Sequence, residues 1–255
     1  MRKLYLLPVL LGCLMSNPAH AEEIWTEIGV YGFISGIGGE TKVGNVTSEV
    51  DVSFSDILEN LDMAFMGFAE HRRGKWSFIG ELFYADISID DTTAVNADLS
   101  VKLDVEVEQT MAEAFVGYRV FEQDHGDARL GVDLLGGARY NKVDVEIGVQ
   151  AIQVGLTTSA SRNPSEDWTD GVVGIRAQYG LNNGWGFSGW ADYGQGSDSS
   201  SYQLAGFVNY RFKNNIKVFG GYRYYDFTYE VGSGASRVEL DLDFSGPMLG
   251  VAYRF

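Results

Sequence analysis

Little in this 255-residue sequence invites covalent, redox or acid–base chemistry. Its one cysteine, Cys13, lies in an apolar N-terminal run, which leaves the body of the chain without thiol chemistry or disulfides. Three histidines, His20, His71 and His125, supply few general bases and few nitrogen ligands. Beyond residue 21 no apolar run approaches the ~18 residues that a membrane-crossing helix requires. Positive charge is scarce too: 19 Lys and Arg stand against 35 Asp and Glu, a formal charge of −16. A nucleic-acid partner is thereby excluded, because a phosphate backbone is held by a basic patch that this composition lacks.

The N-terminus has a composition of its own. Arg2 and Lys3 precede an apolar stretch from Leu4 to Met15, and Ala19-His20-Ala21 forms a small-x-small cleavage site. This pattern predicts a secretory signal peptide over residues 1–21 and a mature chain beginning near Glu22. The competing motif, Leu10-Leu11-Gly12-Cys13, resembles a lipobox that would be cut before a lipidated Cys13. Leu11 fits that motif poorly, and the later Ala-x-Ala site is the better stop. Taking Arg2 and Lys3 off the 19 basic residues leaves 17 against 35 acidic ones, a charge of −18 on the mature chain.

What is abundant is glycine, at 32 residues, with 14 tyrosines, 15 phenylalanines and only four prolines. These suit long twisted strands with close backbone contacts. Apolar and polar residues alternate with period two in successive runs separated by turn residues. Strands are expected over 27–38, 63–72, 76–89, 101–120, 128–145, 168–179, 185–195, 202–212, 216–229 and the C-terminal stretch. Parity slips in the fourth run, where Val105 and Val107 occupy one face and Ala112, Ala114, Val116 and Tyr118 the other, so a bulge is expected near Glu108 to Thr110. Ser55 to Leu61 is the one helix-like piece, with Ser55 or Asp56 as its cap.

The last strand is the most informative. Leu249, Val251, Tyr253 and Phe255 share one face and Gly250, Ala252 and Arg254 the other, and the chain stops on the aromatic Phe255. This terminus resembles the closing strand of Gram-negative outer-membrane β-barrels. The pieces 137–141 (GARYN), 221–227 (GYRYYDF) and 245–255 (SGPMLGVAYRF) resemble recurrent strand segments of the small barrels akin to outer membrane protein A. The resemblance implies insertion by the barrel-assembly machinery, with Leu249, Val251, Tyr253 and Phe255 as the assembly signal. Outer-membrane lipid and lipopolysaccharide are the implied surroundings, and the loop carboxylates would meet lipopolysaccharide phosphates through divalent cations.

Connection lengths agree with that architecture. Long stretches at 39–62, 90–100, 146–167 and 230–239, with a moderate one at 196–201, alternate with short turns at 73–75, 121–127, 181–184 and 213–215. Outer-membrane barrels keep short turns on the periplasmic side, long loops outside and an even strand count. The expected fold is therefore all-β: a single antiparallel transmembrane β-barrel of about ten strands, against alternatives of eight or twelve, spanning 22–255 as a monomer. Residues 41–54 then decorate the first loop. Two aromatic belts are expected: Trp76, Tyr179, Trp185, Tyr210, Phe212, Tyr253 and Phe255 by the short turns, and Tyr84, Tyr140, Trp168, Tyr193, Tyr202 and Tyr224 by the long loops.

On the face away from lipid the strands carry Glu70, Glu81, Glu113, Arg119, Asp133, Arg139, Arg176, Asp192, Arg211 and Arg223. Charges of both signs inside a narrow barrel persist only when paired. A lumen network centred on Glu81, Glu113, Asp133, Arg139, Arg176, Asp192 and Arg223 is expected to plug the barrel. The resulting expectation is a structural or surface-interaction protein of the outer membrane, with a narrow porin-like channel as the alternative and an outer-leaflet lipid-modifying enzyme as a more distant one. An enzyme is not expected, because His71 and His125 fall at short turns, away from outer-leaflet substrates, and no cofactor is expected. Asp86, Asp90, Asp91 and the pair Asp241, Asp243 offer oxygen to a hard cation, but without the ordered spacing of a calcium loop. The Gly36-Ile37-Gly38-Gly39 run reads as a strand end, since no helix follows it directly.

Overall fold

A computed structural model describes residues 23–43, 46–96, 99–153, 156–162, 165–234 and 237–255. Residues 1–21, where a signal peptide is expected, lie outside the described residues, and Cys13 with them. In chain order the strands are β1 (Ile24–Phe33), β2 (Gly36–Val43), β3 (Val46–Val52), β4 (Leu61–Arg73), β5 (Trp76–Asn96), β6 (Leu99–His125) and β7 (Ala128–Gln153). They continue as β8 (Leu156–Arg162), β9 (Ser165–Leu181), β10 (Trp185–Gln195), β11 (Ser199–Arg211), β12 (Ile216–Val231) and β13 (Val238–Arg254), and the helix α1 (Phe54–Glu59) precedes β4.

Ten of these strands, β1, β4, β5, β6, β7, β9, β10, β11, β12 and β13, form one antiparallel ring. It closes where β1 meets β13, from Glu27 opposite Arg254 to Phe33 opposite Met248. Closure leaves the ring no free edge. Tight turns at 74–75, 126–127, 182–184 and 213–215 join strands at one end. Gly74, Gly126 and Gly184 adopt positive φ there, as does Asn215, a conformation that glycine and asparagine tolerate best.

Period two is visible in the wall. Along β1, Trp25, Glu27 and Tyr31 are buried while Ile28 and Val30 are exposed. Leu82, Val116, Leu134, Val173, Leu204 and Leu249 likewise point outward, with Val173 at 66% and Leu249 at 62% exposure. An apolar band of this extent marks a surface meant for something other than water. On the inner face, glycine makes room: a Cβ at Gly29 or Gly250 would collide with the rings of Phe68 and Phe219.

The long-loop end is more regular than the sequence suggested. The stretch 90–100 reads as a polar loop, yet β5 and β6 stay paired to Asn96 and Leu99; 146–167, which reads as a Ser/Thr-rich loop or an extended hairpin, is a hairpin of β7 with β8, and β7 also pairs with β9. The backbone there is satisfied by its neighbour in the ladder. The expected first strand, 27–38, divides at Ile34–Ser35 into β1 and β2, which lie end to end along β13. The break falls opposite Pro247, which has no N–H to donate; its carbonyl accepts from the Ile34 N–H. Residues 36–52 form a hairpin outside the ring, in the first-loop position expected for 41–54.

Other local expectations are corrected. The β5–β6 register runs unbroken through Glu108 to Thr110; the irregularity in β6 falls instead between Arg119 and Phe121, near the tight turn. Val107 therefore keeps the parity of the inward-facing Met111, above the apolar band. The cap of α1 is Ser53, whose Oγ accepts from the Asp56 N–H while Asp56 accepts from the Ser53 N–H, a capping box. Trp168, expected in an outer belt, points inward at 7% exposure.

Candidate functional site

The interior of the ring is a stack of polar and aromatic layers. At the short-turn mouth, Glu27 receives Lys217, Arg211 and Arg254, and the Arg254 guanidinium lies 3.8 Å from the centre of the Trp25 ring. Glu27 is only 2% exposed. Three cations thus converge on one buried carboxylate.

Deeper, Asp133 is fully buried between three guanidinium groups. Arg72 Nη2 donates at 2.7 Å, Arg119 Nε at 2.5 Å and Arg176 Nη2 at 2.8 Å. Arg176 also grips Glu70 through both terminal nitrogens, at 2.9 and 2.8 Å. Forked geometry of this kind gives a charge pair its strongest hydrogen bonds and compensates for lost hydration.

Above this layer, Arg139 donates to Glu113 at 2.5 Å, to Asp192 at 2.8 Å and to Ser201 Oγ at 2.9 Å. Arg223 donates to Glu81 at 2.5 Å, and its guanidinium reaches Glu113 at 3.8 Å. Tyr31 donates to the same Glu81 oxygen, and Trp190 Nε1 to Asp192. Asp170 accepts from Ser199 and Ser201.

Toward the long-loop end the charges give way to an apolar stopper. Phe83, Met111, Trp168, Tyr225, Phe227, Tyr229 and Phe244 pack as one cluster. Trp168 stacks on Tyr229 with centroids 4.6 Å apart, and Phe227 is wholly buried. The two halves are joined by Arg139, whose guanidinium lies 4.9 Å from the Tyr225 ring centre. Below the stopper the lumen holds a cavity of about 150 Å³, adjoining a second of about 310 Å³ that lies at the mouth and is lined by Glu27, Arg72, Arg211 and Arg254.

The seven lumen residues singled out from sequence fall into two bonded groups. Asp133 and Arg176 share the first; Glu81, Glu113, Arg139, Asp192 and Arg223 make the second. Sequence reasoning missed Glu27, Arg72, Lys217 and Asp170 as members. Parity could have found three of them: Arg72 is two residues from Glu70 on β4, and Asp170 and Lys217 are each an even number of residues from Arg176 on β9 and Arg223 on β12. Leu249, Val251, Tyr253 and Phe255 all lie on the outer wall, with the Tyr253 and Phe255 rings edge to face at 5.0 Å.

His71 and His125 are exposed at the short-turn end, where His71 Nδ1 meets Thr26 Oγ1 at 2.9 Å. At the other end, on the outer face of β5 and β6, the structure groups Asp86 with Glu106 and Glu108, their oxygens within 4.8 Å of one another. Burial, then the charges of Glu108 and Asp62, push the Asp86 carboxyl above its ordinary range. The side chains of Asp90 and Asp91 lie outside the described residues.

No family model matches the sequence, and no curated protein matches it. Solved structures do. The outer membrane protease OmpT of Escherichia coli is 10% identical, with 94% of this chain covering 100% of that one at a TM-score of 0.59. The translocator domain of the autotransporter NalP from Neisseria meningitidis is 15% identical over 92% of this chain and 90% of that one, at 0.48. Ail, the attachment invasion locus protein of Yersinia pestis, is 13% identical over 92% and 99%, at 0.31. At such identities the likeness is one of fold, and with the ring closed by ten strands and apolar on its outside, this chain has the fold of the Gram-negative outer-membrane β-barrels.

Proposed function

We propose that this protein is a monomeric, non-enzymatic barrel of the outer membrane, inserted by the barrel-assembly machinery and acting as a structural or surface-interaction element. Its apolar band contacts lipid, the short turns face the periplasm, and the paired strands beyond the band stand among lipopolysaccharide outside. The observation that carries the reading is the double closure of the lumen. The ion pairs of Arg176 with Asp133, Arg139 with Asp192 and Arg223 with Glu81 fill the middle, and the stopper around Trp168 and Phe227 fills the long-loop half. A ten-stranded ring has little width left once such side chains are packed. The placement of His71 and His125 at the short-turn end supports a role without hydrolytic chemistry.

The cavities below the stopper favour one second reading, a narrow passive channel for small solutes. Planar-bilayer recordings of the refolded protein separate the two. Electrical silence is expected; steady unit openings that shift when Arg139 or Arg223 is replaced would establish the channel instead.

A further inference from the structure

We propose that the short-turn mouth of the lumen binds a soluble small anion carrying two or more charges, a phosphate or a carboxylate, at the cations gathered on Glu27. The mouth cavity leaves room for such a ligand, and its charge calls for one. Lys217, Arg211 and Arg254 share a single buried carboxylate, so two positive charges at that spot have no partner of their own. The neighbouring carboxylates cannot make up the difference: Glu70 and Asp133 are held by Arg72, Arg119 and Arg176, and Glu23 and Glu122 by Arg129. This excess stands inside a chain whose formal charge is −16. An anion that supplies charge and acceptors together removes the cost of gathering like charges in a low-dielectric wall.

The geometry is that of a built recess. The cavity of about 310 Å³ faces glycines of three strands, Gly131, Gly180 and Gly186, and at Gly180 a Cβ would meet nothing within 4 Å. Trp25 lies against the Arg254 guanidinium and holds it in place. Arg72, 2% exposed, lines the same recess, and its buried Nε bonds nothing. Because these cations sit on the inner face of the ring, a lipid headgroup on the outer wall cannot reach them, and the ligand is a soluble one. The inference requires only the closed ring and holds whether or not the lumen conducts.

The test uses the full mature chain in non-ionic detergent, its folding checked by heat-modifiable migration. Calorimetric titration at low ionic strength with inorganic pyrophosphate and with succinate is expected to give saturable one-to-one binding to at least one, and the tighter of the two names the class. Arg211→Gln should weaken that binding by about tenfold or more. Asn209→Asp, near-isosteric and on the same inner face of β11, places a competing negative charge in the recess and should weaken it similarly; it keeps the test open if Arg211→Gln fails to fold. Lys213→Gln, in the adjoining turn, should change it by less than about twofold. No saturable binding to either anion, or an equal loss with Lys213→Gln, overturns the proposal.

Discussion

Arg139 shows how one side chain ties the interior together. It reaches Glu113 on β6, Asp192 on β10 and Ser201 on β11 while lying against the Tyr225 ring of β12. Arg139→Ala removes the cation and leaves two buried carboxylates facing each other, a change that costs about 3–5 kcal/mol. The expected outcome is a clearly lower unfolding temperature for the refolded barrel in detergent, with Arg223→Ala behaving alike; unchanged melting would dismiss the network as a stabilising element. Asp86 tests the opposite sign. Its carboxyl titrates above the ordinary range, so protonation favours the folded form, and the benefit is lost as pH rises through that raised value. At about pH 7 the wild type bears the repulsion from Glu108 and Asp62, and Asp86→Asn should raise its melting temperature. Near pH 4 the two proteins should melt together; a gap that persisted there would point away from charge repulsion.

Among the elements, β12 and β13 contribute most to the stopper, through Tyr225, Phe227, Tyr229 and Phe244. Phe227 has no exposed surface, so Phe227→Ala opens a void and is expected to cost about 3–5 kcal/mol, read from denaturant unfolding. Conductance should stay absent in that variant, because the ion-pair layer below is untouched; openings would show that the aromatic half alone closes the barrel. The β2–β3 hairpin lies outside the ring. Period two runs only the start of β2 together with β1, because Gly36 to Gly39 continue the same glycine-rich composition, and the break falls opposite a residue far along the chain, Pro247.

For the whole molecule, closure depends on the β1–β13 ladder, whose residue pairs run from Met248 to Arg254, and Phe255 adds only one further hydrogen bond, its N–H donating to the Thr26 carbonyl. Deleting Phe255 should therefore leave refolding in detergent intact while reducing the amount of barrel assembled in cells. Heat-modifiable migration after refolding, set beside outer-membrane yield, measures both. Equal failure in the two settings would make the residue structural and not a signal. The charge distribution also belongs to this scale: an acidic chain concentrates guanidinium and ammonium groups inside its ring, from Arg139 down to Lys217 and Arg254.

Alternation of apolar and polar residues, the turn residues between runs and the rhythm of short and long connections determined the class of fold, a count of about ten strands and the inward face of many of the lumen charges. Those are local properties, written within a dozen residues at a time. The partners of the inward charges were decided only by the tertiary structure. Arg72 finds Asp133 at 61 positions' distance, Arg223 finds Glu81 at 142 and Lys217 finds Glu27 at 190. Such meetings are fixed by the stagger of neighbouring strands as the sheet closes on itself. In β1, where Ile28 and Tyr31 are both apolar, the sequence left open which face would be lined with protein; ring closure turned Glu27 inward, because a carboxylate on the apolar outer wall would have neither water nor a cation beside it.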